Sequence, residues 1–342
     1  MKRNSNIELL RIICALMIVA HHYSLHGMGA AWNYDYLPIA KMYVEFLGMF
    51  GKLAVNVFFI ISGYFLVKSK FKISRIIKVI FEVYFYSISI YVVAKYVLHI
   101  DLSANMAINP IGNNLYWFAT TYIFLVIISP IINEIIKRIN SRILLLLISA
   151  LVFFNSIFPL LIENTNEPNY LLWAVIMYLI GAYIKLSDTR GLKNNYNNLL
   201  IFSLSMFFVF LLIQLGNIYY INHLDSTYYT LYPSNMNFIL IVIASIFLFI
   251  YFNNLSFSNE LVNKVANTSF GIYLIHDNAM IRNYIWHNLF HCSNYAYSGT
   301  KIIFISILTI FIVFIISMII DMIRIIIFDK AKKILISIKE KF

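Results

Sequence analysis

Ten apolar runs, each about long enough to cross a lipid bilayer, recur from one end of the 342-residue chain to the other. They fall at about 7–25, 47–67, 76–99, 115–134, 142–162, 170–187, 199–221, 236–252, 265–287 and 302–327. A spanning helix needs roughly 17 to 25 predominantly apolar residues. The spacing therefore predicts an all-α polytopic membrane helix bundle of about ten transmembrane helices. Apolar residues make up 61% of the chain and charged residues 12%, against roughly half and a quarter in soluble domains. With a mean hydropathy of +0.79, such a chain lacks the polar surface to face water. No window alternates as a barrel strand does, which disfavours a β-barrel. The polar stretches between runs are too short to hold a core of their own, so 1–342 reads as a single membrane domain. No internal repeat is visible, which argues against a secondary transporter.

The formal charge of +11 raises nucleic acid as a partner, but its distribution answers otherwise. With a cytosolic N-terminus, the inward side collects Lys2 and Arg3, then Lys68, Lys70, Lys72, Arg75 and Lys78, then Lys137, Arg138 and Arg142. Lys185, Arg190, Lys193 and Lys264 follow, and Arg324, Lys330, Lys332, Lys333, Lys339 and Lys341 close the series. Twenty of the 26 lysines and arginines thus face inward, and cytosolic loops retain positive charge. Both termini are expected in the cytosol, with the bilayer as partner and no nucleic acid. Cys14 lies in the first run and Cys292 in a late polar loop, so no structural disulfide is expected. The first run carries Arg11, His21 and His22 and no small-residue cleavage site, the pattern of an uncleaved span rather than a signal peptide.

An ionisable side chain inside a span costs roughly 2.5–3.5 kcal/mol or more, which makes each one a functional candidate. The first span is richest, with Glu8, Arg11, His21 and His22. Arg11 and His22 are eleven residues apart; at about 100° and 1.5 Å per residue they share one face, about 16 Å apart along the axis. Glu8 can pair with Arg11 one turn on, and His21 points about 100° away from His22. The stripe sets a permanent cation in the inner half and an imidazole towards the outer end. A plainer reading has Arg11 snorkelling or paired with Glu8, and His22 merely interfacial. In the second span, Ser62 and Gly63 suit close helix packing; Ser62 as nucleophile needs a base that no local pattern supplies. In the ninth, Ser269, Tyr273 and His276 fall at i, i+4 and i+7, a polar stripe that must face protein or a water-filled cavity. A buried packing network satisfies it equally.

Weaker features complete the set. Trp117 opens the fourth span, where an aromatic belt is expected. The loop from Tyr219 to Tyr232, with His223 and Asp225, is tyrosine-rich and suits either sugar stacking or the interface. Lys72, Arg75 and Lys78 suit phosphates at the cytosolic mouth, although topology already accounts for them. There is no Walker A loop, dinucleotide fingerprint, metal-spaced His/Cys cluster or nucleophile elbow, so no resident metal or cofactor is expected.

Taken together, Glu8-Leu-Leu-Arg11 with His22, Asn56-Val-Phe-Phe-Ile-Ile-Ser-Gly63, Trp117-Phe with Pro130, and Thr268-Ser-Phe-Gly-Ile-Tyr-Leu-Ile-His276 resemble the integral-membrane acyltransferase family 3, in its bacterial envelope-polysaccharide branch. The resemblance covers essentially the whole chain. It implies transfer of an acyl group, usually acetyl from acetyl-CoA as co-substrate, to a hydroxyl of an extracytoplasmic carbohydrate by a multi-pass protein of the bacterial cell membrane. The family's essential arginine and histidine carry over to Arg11 and His22. The family often has Asp at the position of Glu8 and Ala at that of Cys14. Many relatives carry a fused hydrolase-like domain not seen here, so a capsule, exopolysaccharide or teichoic sugar is the expected acceptor rather than peptidoglycan.

A sugar hydroxyl is a weak nucleophile, and a histidine is its natural general base at neutral pH. Acyl-CoA is expected to enter from the cytosol with Arg11 and Arg75 on its anionic arm. Ser62, Tyr273 and His276 are then candidates to line the donor cavity or orient the thioester, and Glu8 and Trp117 to support it. Two other readings stay open. One is a glycan exporter without chemistry, and the other an O-succinyl or other non-acetyl transfer, which a cation near the acyl end of the cavity favours.

Overall fold

A computed structural model describes residues 4–29, 38–111, 115–162, 167–187, 192–223, 232–296 and 298–339. In hydrocarbon the backbone must satisfy its own N–H and C=O groups, and a helix does so within one segment. Every regular element among the described residues is helical. In order they are α1 (Ser5–His22), α2 (Pro38–Gly48), α3 (Phe50–Leu66), α4 (Ile73–Tyr96), α5 (Ala104–Ile108), α6 (Trp117–Arg138) and α7 (Ser141–Val152). Then come α8 (Phe158–Leu161), α9 (Tyr170–Leu186), α10 (Asn195–His223), α11 (Ile239–Asn254), α12 (Glu260–Ala266), α13 (Ser269–His276) and α14 (Lys301–Lys339). A π-helical turn over Tyr23–Gly27 prolongs α1, and another over Phe153–Ile157 joins α7 to α8.

Seven stretches among the described residues are long and apolar enough to cross a membrane: 5–27, 39–66, 73–96, 117–138, 141–161, 195–218 and 301–331. The helices α9 and α11 are apolar but shorter. The span expected over 265–287 is not one helix. It divides into α12, α13 and a π turn at Tyr284–Leu289, and the eight residues of α13 rise only about 12 Å. The break has a polar cause: Asn278 accepts the Met280 N–H at 2.8 Å and donates to the Tyr116 hydroxyl at 2.5 Å, turning the chain away from the helix. Lipid-facing sides carry Ile77, Phe81 and Val92 on α4, Phe207 and Leu215 on α10, and Phe304, Ile316 and Ile323 on α14, all exposed.

The helix α1 is central and packs on α3, α11, α12, α13 and α14. Polar residues fix its first turn: Asn6 donates to the Phe252 carbonyl at 2.8 Å, and Ser5 accepts the Asn259 N–H at 2.9 Å. Asparagines cap α7, α9 and α12 by accepting the N–H of Ile143, Leu172 and Val262, each meeting a donor that a helix start leaves unpaired. The tightest crossing joins α3 and α9, where Gly63 abuts Tyr178 backbone and Gly181 abuts Ile60 backbone. Small residues permit this approach, as Gly63 suggests in the sequence. Beside it, buried Asn56 donates to the Met236 carbonyl and accepts the Trp173 indole N–H, both at 2.8 Å.

Arg324 corrects the charge reading. It is not a loop cation but is buried in α14, donating to Glu82 of α4 at 2.6 Å and to Asp321 at 2.7 Å. Tyr86 donates to the same Asp321 oxygen at 2.5 Å. Cys14 and Cys292 are both buried and free. The loop over 219–232 lies largely outside the described residues, as do Lys2, Arg3, Arg190 and Lys341.

Candidate active site

One cavity of about 650 Å³ follows the face of α1 from Arg11 to His26, bounded by α3, α4, α6 and the α12–α13 region. Arg11 and His22 both line it, as their shared helical face predicts. Eleven residues of α1 separate Arg11 from His22, a rise of about 16 Å, and the π turn carries the wall on to His26, so the cavity spans more than half of a hydrocarbon core in depth.

At the Arg11 end, Ser62, Lys78, Glu82, Tyr122, Asn267 and Ser269 contribute to the wall. The Arg11 guanidinium lies 6.0 Å from the Phe65 ring centroid, and its Nε is buried with no hydrogen-bond partner. The Ser269 hydroxyl is likewise buried and unpaired. The Ser62 hydroxyl donates to the Phe58 carbonyl of its own helix at 2.8 Å. That bond commits its proton to its own helix rather than to a base that would make it a nucleophile. Arg75 is not part of the wall; it donates to Ser69 at 2.6 Å, and Lys78, one turn on, reaches the cavity in its place. Tyr273 lines the middle of the cavity, as the ninth-span stripe anticipates.

At the far end the side chains crowd. His22 Nδ1 lies 2.9 Å from His276 Nε2, and His276 Nδ1 lies 2.5 Å from the Ile272 carbonyl one turn back. Asp277 Oδ1 sits 3.6 Å from His22 Nδ1 and 3.7 Å from His26 Nε2, and Arg282 Nη1 approaches the same oxygen to 3.3 Å. The π turn after α1 delivers His26, whose ring centroid is 5.4 Å from that of His22. His21 also borders this end, with Nδ1 2.5 Å from the Gly48 carbonyl. Lys52 pairs with Glu167 at 2.6 Å and lies 5.4 Å from the Trp117 ring centroid, while Trp117 packs on Tyr170 at 4.5 Å. Trp117 thus forms part of the wall.

The ligand atoms of His22, His26 and Asp277 lie within 4.8 Å of one another, close enough to hold a metal ion. His22 Nδ1 and Asp277 Oδ1 already have partners, however: His276 for the first and Arg282 for the second. The groups assigned no site role from the sequence are His26, Lys52 with Glu167, Asp277 with Arg282, and the Glu82–Arg324–Asp321 network. His26 had a local signal, since it stands four residues after His22 and on the same side.

Residues 4–322 match the family model described as an acyltransferase domain, of acyltransferase family 3. The chain belongs to this family. No curated protein and no solved structure matches it significantly. A member of an acyltransferase family moves an acyl group from a donor to an acceptor, so a conduit without chemistry is set aside. For an acyltransferase, the wall divides into two chemical regions. The Arg11 end offers an uncommitted guanidinium and hydroxyl, suited to amide and anionic groups. The His22 end offers imidazoles amid paired charges, suited to proton transfer.

Proposed function

We propose that the protein transfers an acetyl group from cytosolic acetyl-CoA to a hydroxyl of an extracytoplasmic cell-envelope polysaccharide or lipid-linked sugar. The observation that carries this reading is the continuous cavity with Arg11 towards one end and His22 towards the other. The whole chain acts as one domain with about ten crossings: seven long spans, α9, α11 and the broken segment around α13. The termini lie in the cytosol, which puts the Arg11 end on the inner side and the His22 end on the outer side.

In this arrangement the pantetheine arm of the donor runs along α1. Arg11 Nε and the Ser269 hydroxyl, buried and unpaired, hydrogen-bond its amides, and Lys78 meets its phosphates. The acceptor hydroxyl approaches His22 from the outer mouth. His22 takes the hydroxyl proton as the O–H bond breaks and the oxygen attacks the thioester carbonyl. A C–O bond forms, the C–S bond breaks, and His22 returns the proton to the departing thiolate. The outer end supports acetyl over succinyl, because the lining cations Lys52 and Arg282 each already face a carboxylate, at 2.6 and 3.3 Å. A dicarboxylic acyl group finds no spare cation there among the described residues.

The test compares wild type with His22→Ala in a strain lacking the gene, with proton NMR of surface glycans for base-labile O-acetyl esters. Wild type restores the signal, and His22→Ala at equal membrane abundance does not. Ester formation by both proteins overturns the role of His22, and ester formation by neither overturns the transferase assignment to envelope glycan.

A further inference from the structure

The histidine of α13 stands apart from the other cavity residues, because both of its ring nitrogens are engaged and one of them engages His22. The Ile272 carbonyl can only accept a hydrogen bond, so His276 Nδ1, at 2.5 Å, carries the proton. In a neutral imidazole the other nitrogen is then an acceptor. His276 Nε2 therefore presents a lone pair to His22 Nδ1 at 2.9 Å, and His22 Nδ1 is the donor. The remaining nitrogen of His22, Nε2, is left unprotonated, and among the described residues it has no protein partner. Both rings border the cavity, and His276 has no exposed surface. The tautomer is assigned from the chain of bonds rather than from observed hydrogens, and each link follows from a carbonyl that has no proton to give.

We propose that His276 is a positioning residue for acyl transfer: by accepting the Nδ1–H of His22 it holds that ring as the tautomer whose Nε2 lone pair faces the cavity. The inference rests on the reading of His22 as general base. It also reassigns His276 from the donor-binding role its sequence position suggests. An orienting partner is a common requirement of a histidine base, because which nitrogen is bare depends on the bond the other makes. That partner is usually a carboxylate, and here the nearest, Asp277, stands off at 3.6 Å from His22 and is held by Arg282. The backbone bond of His276 and the clamp of Tyr116 on the Leu274 carbonyl at 2.9 Å fix the acceptor in place. An isolated neutral histidine in water favours the proton on Nε2, the wrong nitrogen for this geometry, so losing His276 removes the bias rather than the base.

The experiment uses the full chain in nanodiscs, as wild type, His276→Gln, His276→Leu and His22→Ala. Glutamine keeps an acceptor oxygen at about the place of Nε2, whereas leucine fills the space without one. Two readouts are taken: nitrogen-15 NMR of labelled histidine, with His22 assigned by its loss in His22→Ala, and transfer from acetyl-CoA to surface glycan. Expected are an Nδ1–H His22 in wild type and His276→Gln, and a majority Nε2–H His22 in His276→Leu. For transfer, His276→Leu loses about 10²–10³-fold in kcat, within the range of general-base contributions. Its KM for acetyl-CoA stays within about threefold, and His276→Gln retains activity within about tenfold of wild type. An Nε2–H His22 in active wild type overturns the proposal and leaves the transferase reading standing. So does full activity of His276→Leu. An Nδ1–H His22 that flips in His276→Leu, in a protein that transfers no acetyl, supports the positioning role and overturns the acetyl assignment.

Discussion

Alanine at Gly181 or Gly63 probes how the close approach of α3 and α9 shapes the cavity. A Cβ at Gly181 falls 2.0 Å from the Ile60 carbonyl oxygen and 2.9 Å from Tyr64 N, and one at Gly63 falls 2.0 Å from the Tyr178 carbonyl oxygen. Ordinary contact begins near 3.4 Å, and the obstructing atoms are backbone, so no side chain can swing aside. The helices must part by about the difference between 3.4 and 2.0 Å, roughly 1.4 Å. Overpacking of this kind costs about 1–3 kcal/mol. The parting also strains the bonds of Trp173 to Asn56 and Tyr178 to Asn133, each 2.8 Å long and each contributing about 1 kcal/mol. Each single variant is therefore expected to lose about 2–4 kcal/mol. The double variant loses much less than twice that, because one separation relieves both clashes and neighbouring sites couple. Phe58, Ile61 and Ser62 of α3 line the cavity, and misplacement by about 1 Å can cost 10²-fold in rate, so transfer falls too. The assay is reversible unfolding of purified protein in mixed detergent, with the four members of the cycle compared. Single variants within 0.5 kcal/mol of wild type, or strict additivity, refute the reasoning.

Three further outcomes follow from other parts of the molecule. Arg11→Ala removes a charged donor from the proposed donor path, a bond of about 1.5–3 kcal/mol, so KM for acetyl-CoA rises about 10–100-fold in steady-state kinetics; an unchanged KM refutes the assignment. Arg324→Met strands the buried carboxylates Glu82 and Asp321 and costs about 3–5 kcal/mol, whereas Tyr86→Phe removes one hydrogen bond and costs about 1 kcal/mol. Detergent unfolding ranks the pair, and the reverse order counts against the network. At the loop residue Glu167, burial pushes the carboxyl up, but Lys52 and the Tyr170 hydroxyl outweigh it and hold it below its ordinary 4.5. A depressed carboxylate contributes stability above its unfolded pKa and loses it as pH falls through the folded one. Wild type is therefore expected to lose a small increment relative to Glu167→Gln below about pH 4.5, under about 1 kcal/mol at so exposed a pair; a loss that appears only on raising pH contradicts the pairing.

How much was legible in advance depends on the range of the signal. Membrane class came from apolar runs, and the shared face of Arg11 and His22 from the helical repeat. So did the stripe of Ser269, Tyr273 and His276, which the structure turns to one cavity. Other features escaped because no local pattern encodes them. Arg324 reads as a loop cation by its place at the end of an apolar run, yet Glu82, 242 residues away, makes it a buried ion-pair partner. Arg75 and Lys78 are indistinguishable in the sequence, and only packing selects Lys78 for the wall.

By itself, then, the sequence determined the solvent the protein folds in, its helical class, the polar side chains that must avoid lipid and the face of α1 that lines the cavity. These are properties of single residues or of one helical period, summed along the chain. The tertiary structure alone decided that the ninth run breaks at Asp277 and that Gly63 needs Gly181. It alone set His276, 254 residues from His22, 2.9 Å from its Nδ1. The physical reason is that hydrophobic burial is non-directional and leaves its mark as composition. A hydrogen bond between distant helices depends on a few tenths of an ångström that only the packed bundle sets.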